Sequence, residues 1–237
     1  MRSDTLRWGI SSTGKIAATF VQDLRLLDDA SVVAVGSRTP ERATEFAERF
    51  GIPTAHRSNA HLADDPDVDI VYVASPHSAH HDDVIRFLDA GKHVLCEKPF
   101  ALNAAQAKAM IDAAARNGRF LMEGVWSRFV PGYVRLGELL AEGTIGEPEI
   151  VDATFGSAFP FDPTHRLYDR ALGGGALLDL GIYPLQLAQL VLGPVSDHTA
   201  QAVIGATGID ETIVITDTHG RGTATSRLAA SMRVRLP

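Results

Sequence analysis

The stretch His93-Val94-Leu95-Cys96-Glu97-Lys98-Pro99-Phe100 decides the fold, because a short apolar run ends there in a charged pair and a proline. This pattern predicts a β-strand that leaves a buried sheet and carries Lys98 to the carboxyl edge, where open α/β folds bind ligands. Pro99 fixes its own φ angle and disfavours helix at Lys98, so the lysine is expected in an extended or turn conformation. The alternative is an ordinary surface lysine at a strand end.

Strand and helix patterns alternate on both sides of this stretch. Apolar runs at Leu6–Ser11, 32–36, 70–74 and 119–123 predict further strands, with helical patterns between them. This alternation predicts an α/β fold: a doubly wound parallel sheet, or Rossmann domain, over residues 1–123.

The second half of the chain has a different pattern. Strand patterns at 199–206, 211–216 and 223–236 follow one another without helices. They predict an α+β domain with a mixed or antiparallel sheet over residues 124–237. The last of these strands runs to the end of the chain, so we expect this sheet to be incomplete and the domain truncated.

A glycine-containing turn follows the first predicted strand directly. It reads Gly9-Ile10-Ser11-Ser12-Thr13-Gly14-Lys15-Ile16, and apolar residues recur at helical spacing from Ile16 onward. A helix N-terminus behind such a turn holds a pyrophosphate with its amides and dipole, and glycine lets the backbone approach the ligand. Ser12 stands where a glycine would be usual.

The second predicted strand ends in Ser37-Arg38-Thr39 and has no carboxylate there. NAD-binding folds usually place an acidic residue near this point, where it binds the ribose hydroxyls. Ser37 and Arg38, with Arg42 one helical turn later, are instead suited to a 2′-phosphate, which predicts NADP rather than NAD. The alternative is a set of solvated charges at the start of a helix.

Ser75-Pro76-His77, followed by His80 and His81, comes after the predicted strand at 70–74. No cysteine or acidic partner stands nearby in a familiar metal-ligand spacing, so we predict no metal site. We expect His80 to fix the turn or to lie at the edge of the cofactor, and His81 to face solvent.

Gly173-Gly174-Gly175 precedes an apolar helical pattern, and we interpret the glycines as a flexible entry to that helix. Asp179 and Tyr183 are four residues apart, so they share one face of the helix. A tyrosine and a carboxylate on one face can serve as proton shuttle and orienting partner. The alternative is a core tyrosine and a capping aspartate.

Composition excludes several function classes. The 237-residue chain has a net charge of −7 and no basic run, which argues against a nucleic-acid surface. The apolar stretch 176–192 contains Asp179 and Pro184, so we predict a core helix rather than a membrane span. One cysteine excludes an intramolecular disulfide, and the first residues lack a signal-peptide hydrophobic region. We therefore expect a cytoplasmic protein without nucleic-acid or membrane partners.

Taken together and in this order, these motifs resemble the Gfo/Idh/MocA oxidoreductase family. The residues that carry the resemblance are the Gly9…Gly14 turn, Ser75-Pro76-His77 with His80, Glu97-Lys98-Pro99, and Gly173-Gly174-Gly175 with Asp179 and Tyr183. Within the family, Leu121-Met122-Glu123 with Trp126 and Arg128 looks closest to the dihydrodiol dehydrogenase and D-xylose dehydrogenase branch, which uses NADP.

The resemblance implies an NADP-dependent oxidoreductase that transfers a hydride between the nicotinamide and a hydroxyl or carbonyl carbon of a sugar, polyol or vicinal diol. Lys98 would lie beside the nicotinamide with its bond to Pro99 cis, Tyr183 would be the acid or base, and Asp179 would orient Lys98 or the substrate. Relatives often pair through a sheet face, which makes a homodimer or higher homo-oligomer the expected assembly.

The motifs and the resemblance together give two sets of candidate site residues. The catalytic candidates are Lys98, Asp179 and Tyr183. The cofactor-binding candidates are Gly9, Ser11, Ser12, Thr13, Gly14, Lys15, Ile16, Ser37, Arg38, Arg42, Ser75, Pro76, His77, His80, Glu97, Lys98, Trp126 and Arg128.

Two other functions stay open at this point: a non-catalytic dinucleotide-binding sensor or regulator, and an inactive, truncated homologue. The joint presence of Lys98, Asp179 and Tyr183 favours the enzyme, because a sensor has no need of all three.

Overall fold

The computed structural model describes residues 5–220 and 222–234 of the chain. The chain divides into two compact units between Gly124 and Val125. Each unit has its own sheet and its own buried core.

The first unit alternates strands and helices along its length. Its strands are β1 (Leu6–Ser11), β2 (Ala30–Gly36), β3 (Thr54–His56), β4 (Ile70–Val73), β5 (His93–Glu97) and β6 (Leu121–Gly124). Its helices are α1 (Lys15–Leu24), α2 (Pro40–Phe50), α3 (Asn59–Ala63), α4 (His80–Asp89) and α5 (Ala104–Asn117).

The six strands form one parallel sheet in the order β3-β2-β1-β4-β5-β6. This confirms the doubly wound sheet that the sequence predicts. The strand order reverses between β1 and β4, and open α/β sheets bind ligands beyond the carboxyl ends of the strands at such a point.

Apolar side chains cover both faces of this sheet. One core cluster includes Phe87 and Met110 from α4 and α5, and the other includes Val21 from α1 with Tyr72 from β4. A parallel sheet that is covered on both faces explains why the strands read as continuous apolar runs rather than as alternating patterns.

Two short elements, β3 and α3, lie outside the predicted set because three and five residues are too few for a clear periodicity. The side chain of Ser58 caps α3 by accepting a hydrogen bond from the amide of His61 at 3.2 Å. Leu62 of α3 packs so closely on Gly36 that a Cβ atom there would lie 3.1 Å from the leucine side chain. Gly36 is therefore needed for packing at the end of β2.

The second unit is an α+β structure. Its strands are β7 (Ile150–Gly156), β8 (Val195–Ile204), β9 (Asp210–His219) and β10 (Ala224–Ser231), and its helices are α6 (Pro131–Ala141) and α7 (Ile182–Leu192). In the sheet, ordered β7-β10-β9-β8, β7 and β10 are parallel and the other neighbours are antiparallel. This is the mixed sheet that the sequence predicts. The predicted last strand, 223–236, ends at Ser231, and residues 235–237 lie outside the described residues.

The most apolar segment of the chain, Arg170–Leu192, is long and apolar enough to cross a membrane on length and composition alone. It is not one regular helix, because a 3₁₀ turn at Arg170–Leu172 and a π-helical turn at Leu177–Gly181 precede α7. Its residues Ala176 and Leu180 belong to the core of the second unit, and α7 packs on β7 and β10. We therefore assign the segment to that core.

Close packing and backbone conformation explain two of the three glycines that the sequence analysis interprets as a flexible entry. A Cβ atom on Gly174 would lie 2.5 Å from the carbonyl oxygen of Leu167, and Gly175 has a φ angle of +127°. Both residues are glycine because the backbone before the π-helical turn passes close to neighbouring groups and adopts a conformation that L-residues rarely take.

This packing gives a stability test with a matched control. We expect Gly174→Ala to destabilise the second unit by about 1–3 kcal/mol, because the added methyl group meets a backbone carbonyl that cannot move aside. Gly137→Ala, inside α6, should stabilise the same unit by about 0.5–1 kcal/mol, because its Cβ meets no atom of the described residues within 4 Å and alanine favours helix.

Urea unfolding followed by circular dichroism measures both changes. Equal free energies of unfolding for the two alanine variants would contradict this explanation of the glycines.

Candidate functional site

A cleft of about 720 Å³ opens at the carboxyl edge of the first unit's sheet. Its walls come from the turn between β1 and α1, from the segment after β2, and from the segment after β4. The predicted cofactor-binding residues that line it are Ser11, Ser12, Thr13, Gly14, Ser37, Arg38, Arg42, Ser75 and Pro76.

The turn between β1 and α1 lines this cleft. Gly14 is the N-cap of α1 and, within the described residues, no side chain caps the helix. Ser12, in the position where glycine would be usual, has a φ angle of +97°. Such a turn at a helix N-terminus is a binding site for a phosphate or pyrophosphate.

Two serine hydroxyl groups support the fit of a polar ligand. Ser11 Oγ and Ser75 Oγ are buried in the walls of the cleft and have no hydrogen-bond partner among the described residues. Buried hydroxyl groups are normally paired, so a ligand that brings hydrogen-bonding atoms to these walls fits the site.

Positive charge dominates the wall around the end of β2. Arg38, Arg42, Arg49 and Arg86 line the cleft together with two carboxylates, Glu45 and Asp83. The Asp83 carboxylate accepts a hydrogen bond from the side chain of Asn59 at 2.9 Å. A site with this charge balance favours an anionic ligand such as a nucleotide phosphate.

Four other predicted cofactor residues lie elsewhere in the first unit. A Cβ atom on Gly9 would lie 3.0 Å from Val68, so this glycine serves packing. Ile16 is exposed, and Lys15 lines a smaller adjoining cleft with Arg49. His77 is buried, and its ring lies 5.8 Å from that of His80.

The position of His80 supports the turn-fixing alternative over a cofactor contact. Its side chain is fully buried, with Nδ1 2.8 Å from the carbonyl oxygen of Pro99 and Nε2 2.9 Å from that of Ser75. His81 lies one residue further on, and its Nδ1 is 2.6 Å from Asp82.

Lys98 lies in the turn directly after β5, and its bond to Pro99 is cis, as the resemblance implied. The amide of Lys98 donates to Glu97 Oε2 at 3.1 Å, and the amide of Phe100 donates to Glu123 Oε1 at 2.8 Å. The other Glu97 oxygen accepts from the hydroxyl of Tyr72. We call these contacts, with that of His80 to Pro99, the turn clamp.

Burial raises the pKa of two groups in the turn clamp, the carboxyl group of Glu123 and the hydroxyl group of Tyr72. It raises the pKa of the Glu123 carboxyl group, and the neighbouring Glu97 carboxylate adds to this effect. Burial and Glu97 also raise the pKa of the Tyr72 hydroxyl, which therefore stays protonated and donates. The thiol of Cys96, just before the turn, has a pKa well above its ordinary value because it is buried. It is therefore a packing residue, not a nucleophile.

Tyr183 belongs to the second unit and lies in an aromatic cluster. The indole nitrogen of Trp126 donates to its hydroxyl oxygen at 3.0 Å, and the ring of Phe155 is 5.1 Å from its ring. Trp126 is 60% exposed and Phe155 is 42% exposed, so aromatic surface beside Tyr183 is open to a ligand. Arg128 lies in the same 3₁₀ turn as Trp126.

Asp179 lies four residues before Tyr183, in the π-helical turn. Its carboxylate is buried and accepts hydrogen bonds at 3.3 Å from both terminal nitrogens of Arg166. Asp179 is therefore paired with a cation, and it is not the N-cap residue of either the π-helical turn or α7.

Sequence patterns missed several residues of these sites. Tyr72 and Glu123 hold the Lys98 turn from neighbouring strands, and Arg49 and Arg86 line the cleft from α2 and α4. Arg49 could have been found from its spacing, because it lies two helical turns beyond Arg42 in α2 and so shares a face with it. The clamp residues have no comparable signal, because sheet order alone brings them to the turn.

Two family models match the chain. One, described as the oxidoreductase family with an NAD-binding Rossmann fold, matches residues 6–125, and the other, the GFO/IDH/MocA C-terminal domain, matches residues 133–236. Among curated proteins, trans-1,2-dihydrobenzene-1,2-diol dehydrogenase from Xenopus laevis is 44% identical over 213 residues, which are 88% of this chain and 64% of that protein. The chain thus spans less than two thirds of the length of this relative.

Solved structures match both units. An aldose-aldose oxidoreductase from Caulobacter crescentus, determined with glycerol, is 33% identical with a TM-score of 0.88, covering 98% of this chain and 72% of its own. A 3-ketoreductase from Actinomadura kijaniata, determined with TDP-benzene and NADP, is 32% identical with a TM-score of 0.87, covering 98% and 71%. With the family models and the doubly wound sheet, these similarities show that the chain belongs to the GFO/IDH/MocA oxidoreductase family.

Proposed function

We propose that the chain is an NADP-dependent oxidoreductase acting on a CH–OH group of a cyclic diol, polyol or sugar. The observation that carries the proposal is the cleft at the carboxyl edge of the first sheet. It combines an uncapped helix N-terminus with an arginine-rich wall at the end of β2. The names of the dihydrodiol dehydrogenase and the aldose-aldose oxidoreductase support the substrate class.

The residues after β2 support NADP over NAD. Ser37, Arg38 and Arg42 line the cleft, and no carboxylate stands at the strand end to bind the ribose hydroxyls. A guanidinium group forms paired, charge-assisted hydrogen bonds with a phosphate, which a 2′-phosphate offers and a 2′-hydroxyl does not. One of the similar structures contains NADP.

The chemistry divides between the cofactor and the protein. The nicotinamide, when bound, supplies the hydride acceptor or donor. Alcohol oxidation also requires that a proton leave the hydroxyl oxygen, and we assign this proton transfer to Tyr183, with Lys98 as the cationic group that stabilises a developing alkoxide.

Hydrogen bonding around Tyr183 supports this assignment. An indole N–H can only donate, so the bond from Trp126 leaves the hydroxyl oxygen of Tyr183 as the acceptor. The oxygen to which we assign the proton transfer is therefore held in place by one donor.

Asp179, four residues before Tyr183, forms an ion pair with Arg166. We propose that the buried carboxylate of Asp179 orients the reacting groups, as the family resemblance implies. Arg166, whose side chain is 45% exposed, holds that carboxylate in place. The exposed rings of Trp126 and Phe155 offer apolar faces for the carbon skeleton of a ring-shaped substrate.

Cofactor choice is tested by Arg38→Ala. We expect the Kd for NADPH to rise about ten- to a hundredfold and that for NADH to stay unchanged, because the lost bonds go to a charged phosphate. Titration of nicotinamide fluorescence measures both constants. Arg116→Ala is the control, since Arg116 pairs with Asp89 and is not among the residues that line the cleft. Equal effects of Arg38→Ala on the two cofactors would contradict the phosphate assignment.

The proton-transfer roles are tested by Lys98→Ala and Tyr183→Phe. We expect kcat to fall about 10²- to 10⁴-fold in each variant, with the Kd for NADPH changed by less than about threefold. The assay follows nicotinamide absorbance with trans-1,2-dihydrobenzene-1,2-diol, aldoses and polyols as substrates. Wild-type rates in both variants would overturn the mechanism, and NADPH binding without turnover on the whole panel would favour a sensor.

A further inference from the structure

His80 connects the turn that carries Lys98 to the wall of the nucleotide cleft. Its ring lies between two backbone carbonyl groups, that of Pro99 in the turn and that of Ser75 after β4. Ser75 lines the cleft, whereas the His80 side chain is fully buried behind it. One ring thus bridges the two segments.

The two carbonyl groups face the two nitrogens of the ring and compete for its protons. A carbonyl oxygen only accepts, so each ring nitrogen must donate to make its bond, and a neutral imidazole has a single N–H. Burial lowers the pKa of His80, while the two carbonyl groups and the carboxylates of Glu97 and Asp83 oppose that shift. Neither nitrogen is available to a ligand while both lie on the backbone.

The Pro99 carbonyl is the part of the turn that His80 controls. The flanking amides of Lys98 and Phe100 are bound to Glu97 and Glu123, and proline has no N–H to contribute. Rotation of the peptide group after Pro99 would move the Lys98 backbone relative to the cleft, and the bond from Nδ1 opposes that rotation.

We propose that His80 is a positioning residue for Lys98: its Nδ1–H bond to Pro99 fixes the turn relative to the cleft wall at Ser75. The proposal rests on the proposed function, in which Lys98 takes part in the reaction. His80 itself touches neither the substrate nor the cofactor.

Two amide substitutions separate the two bonds of the ring. The side-chain nitrogen of asparagine takes the place of Nδ1, and that of glutamine takes the place of Nε2. His80→Asn therefore places a donor at Pro99 and none at Ser75, whereas His80→Gln does the reverse. Each variant offers one donor to one of the two carbonyl groups, so a purely structural role predicts similar losses of stability in the two.

We expect His80→Gln to lower kcat about ten- to a hundredfold, with the KM for the diol and the Kd for NADPH unchanged, because small misplacements of a reacting group have effects of this size. The kcat of His80→Asn should be at least about tenfold above that of His80→Gln. His81→Gln, next to it in sequence, is the control and should keep wild-type rates. Equal kcat values in the two His80 variants, or losses that follow their melting temperatures, would overturn the proposal.

Two readouts do not depend on turnover. Amide hydrogen exchange at Lys98 and Phe100 should be faster in His80→Gln than in His80→Asn, and equal exchange would count against the positioning role. In the wild-type protein, nitrogen-15 spectra of the ring should show a proton on Nδ1, and an unprotonated Nδ1 would exclude the bond to Pro99. An inactive wild-type protein that passes these two tests would refute the proposed function and leave the role of His80 in the turn standing.

Discussion

The site depends on how the backbone after β5 satisfies its hydrogen bonds. Strand β5 ends at Glu97, so the turn that follows lies beyond the strand ladder, and polar main-chain groups in a buried setting need hydrogen-bond partners. The flanking strands β4 and β6 supply some of these bonds. Tyr72 of β4 donates to Glu97, and Glu123 of β6 accepts from the amide of Phe100. The position of the lysine is therefore set by its neighbours in the sheet more than by its own sequence.

The same clamp brings two carboxyl groups close to one lysine. Glu97 accepts hydrogen bonds from the hydroxyl of Tyr72 and from the amide of Lys98. Glu123 is half-buried, and burial together with the nearby Glu97 carboxylate raises its pKa, so a second full negative charge is disfavoured. The arrangement limits the negative charge around Lys98 while still holding the turn at several points.

The cleft at the carboxyl edge of the first sheet contains a residue with a strained backbone, Ser12. Ser12 adopts a left-handed φ angle that costs an L-residue roughly 1–2 kcal/mol, and it lies in the turn that lines the cleft. Strained residues persist where the surrounding structure holds them, often at ligand-binding sites. Here the amide of Ser12 is held by the carbonyl of Gly36 at 2.9 Å.

The sequence was sufficient for features with a local cause. Apolar runs and helical spacing identify most strands of the first sheet. The absence of a carboxylate at Ser37-Arg38 points to an arginine-lined wall, which the cleft has. Features with a long-range cause were out of reach: Glu123 meets Phe100 across 23 residues, and Gly174 is glycine because of the Leu167 carbonyl. The sequence leaves His80 between fixing the turn and lying at the cofactor edge, because a sequence does not reveal burial.

The most direct test of the account is a single-turnover experiment with the wild-type chain. The protein is loaded with NADP⁺ and mixed with trans-1,2-dihydrobenzene-1,2-diol, and the near-ultraviolet absorbance of the reduced nicotinamide is followed. The account predicts a rise in absorbance that approaches one reduced cofactor per chain. No rise with this diol or with the aldoses and polyols, in a sample shown to bind NADPH tightly, would contradict the claim that this chain carries out hydride transfer from a CH–OH group.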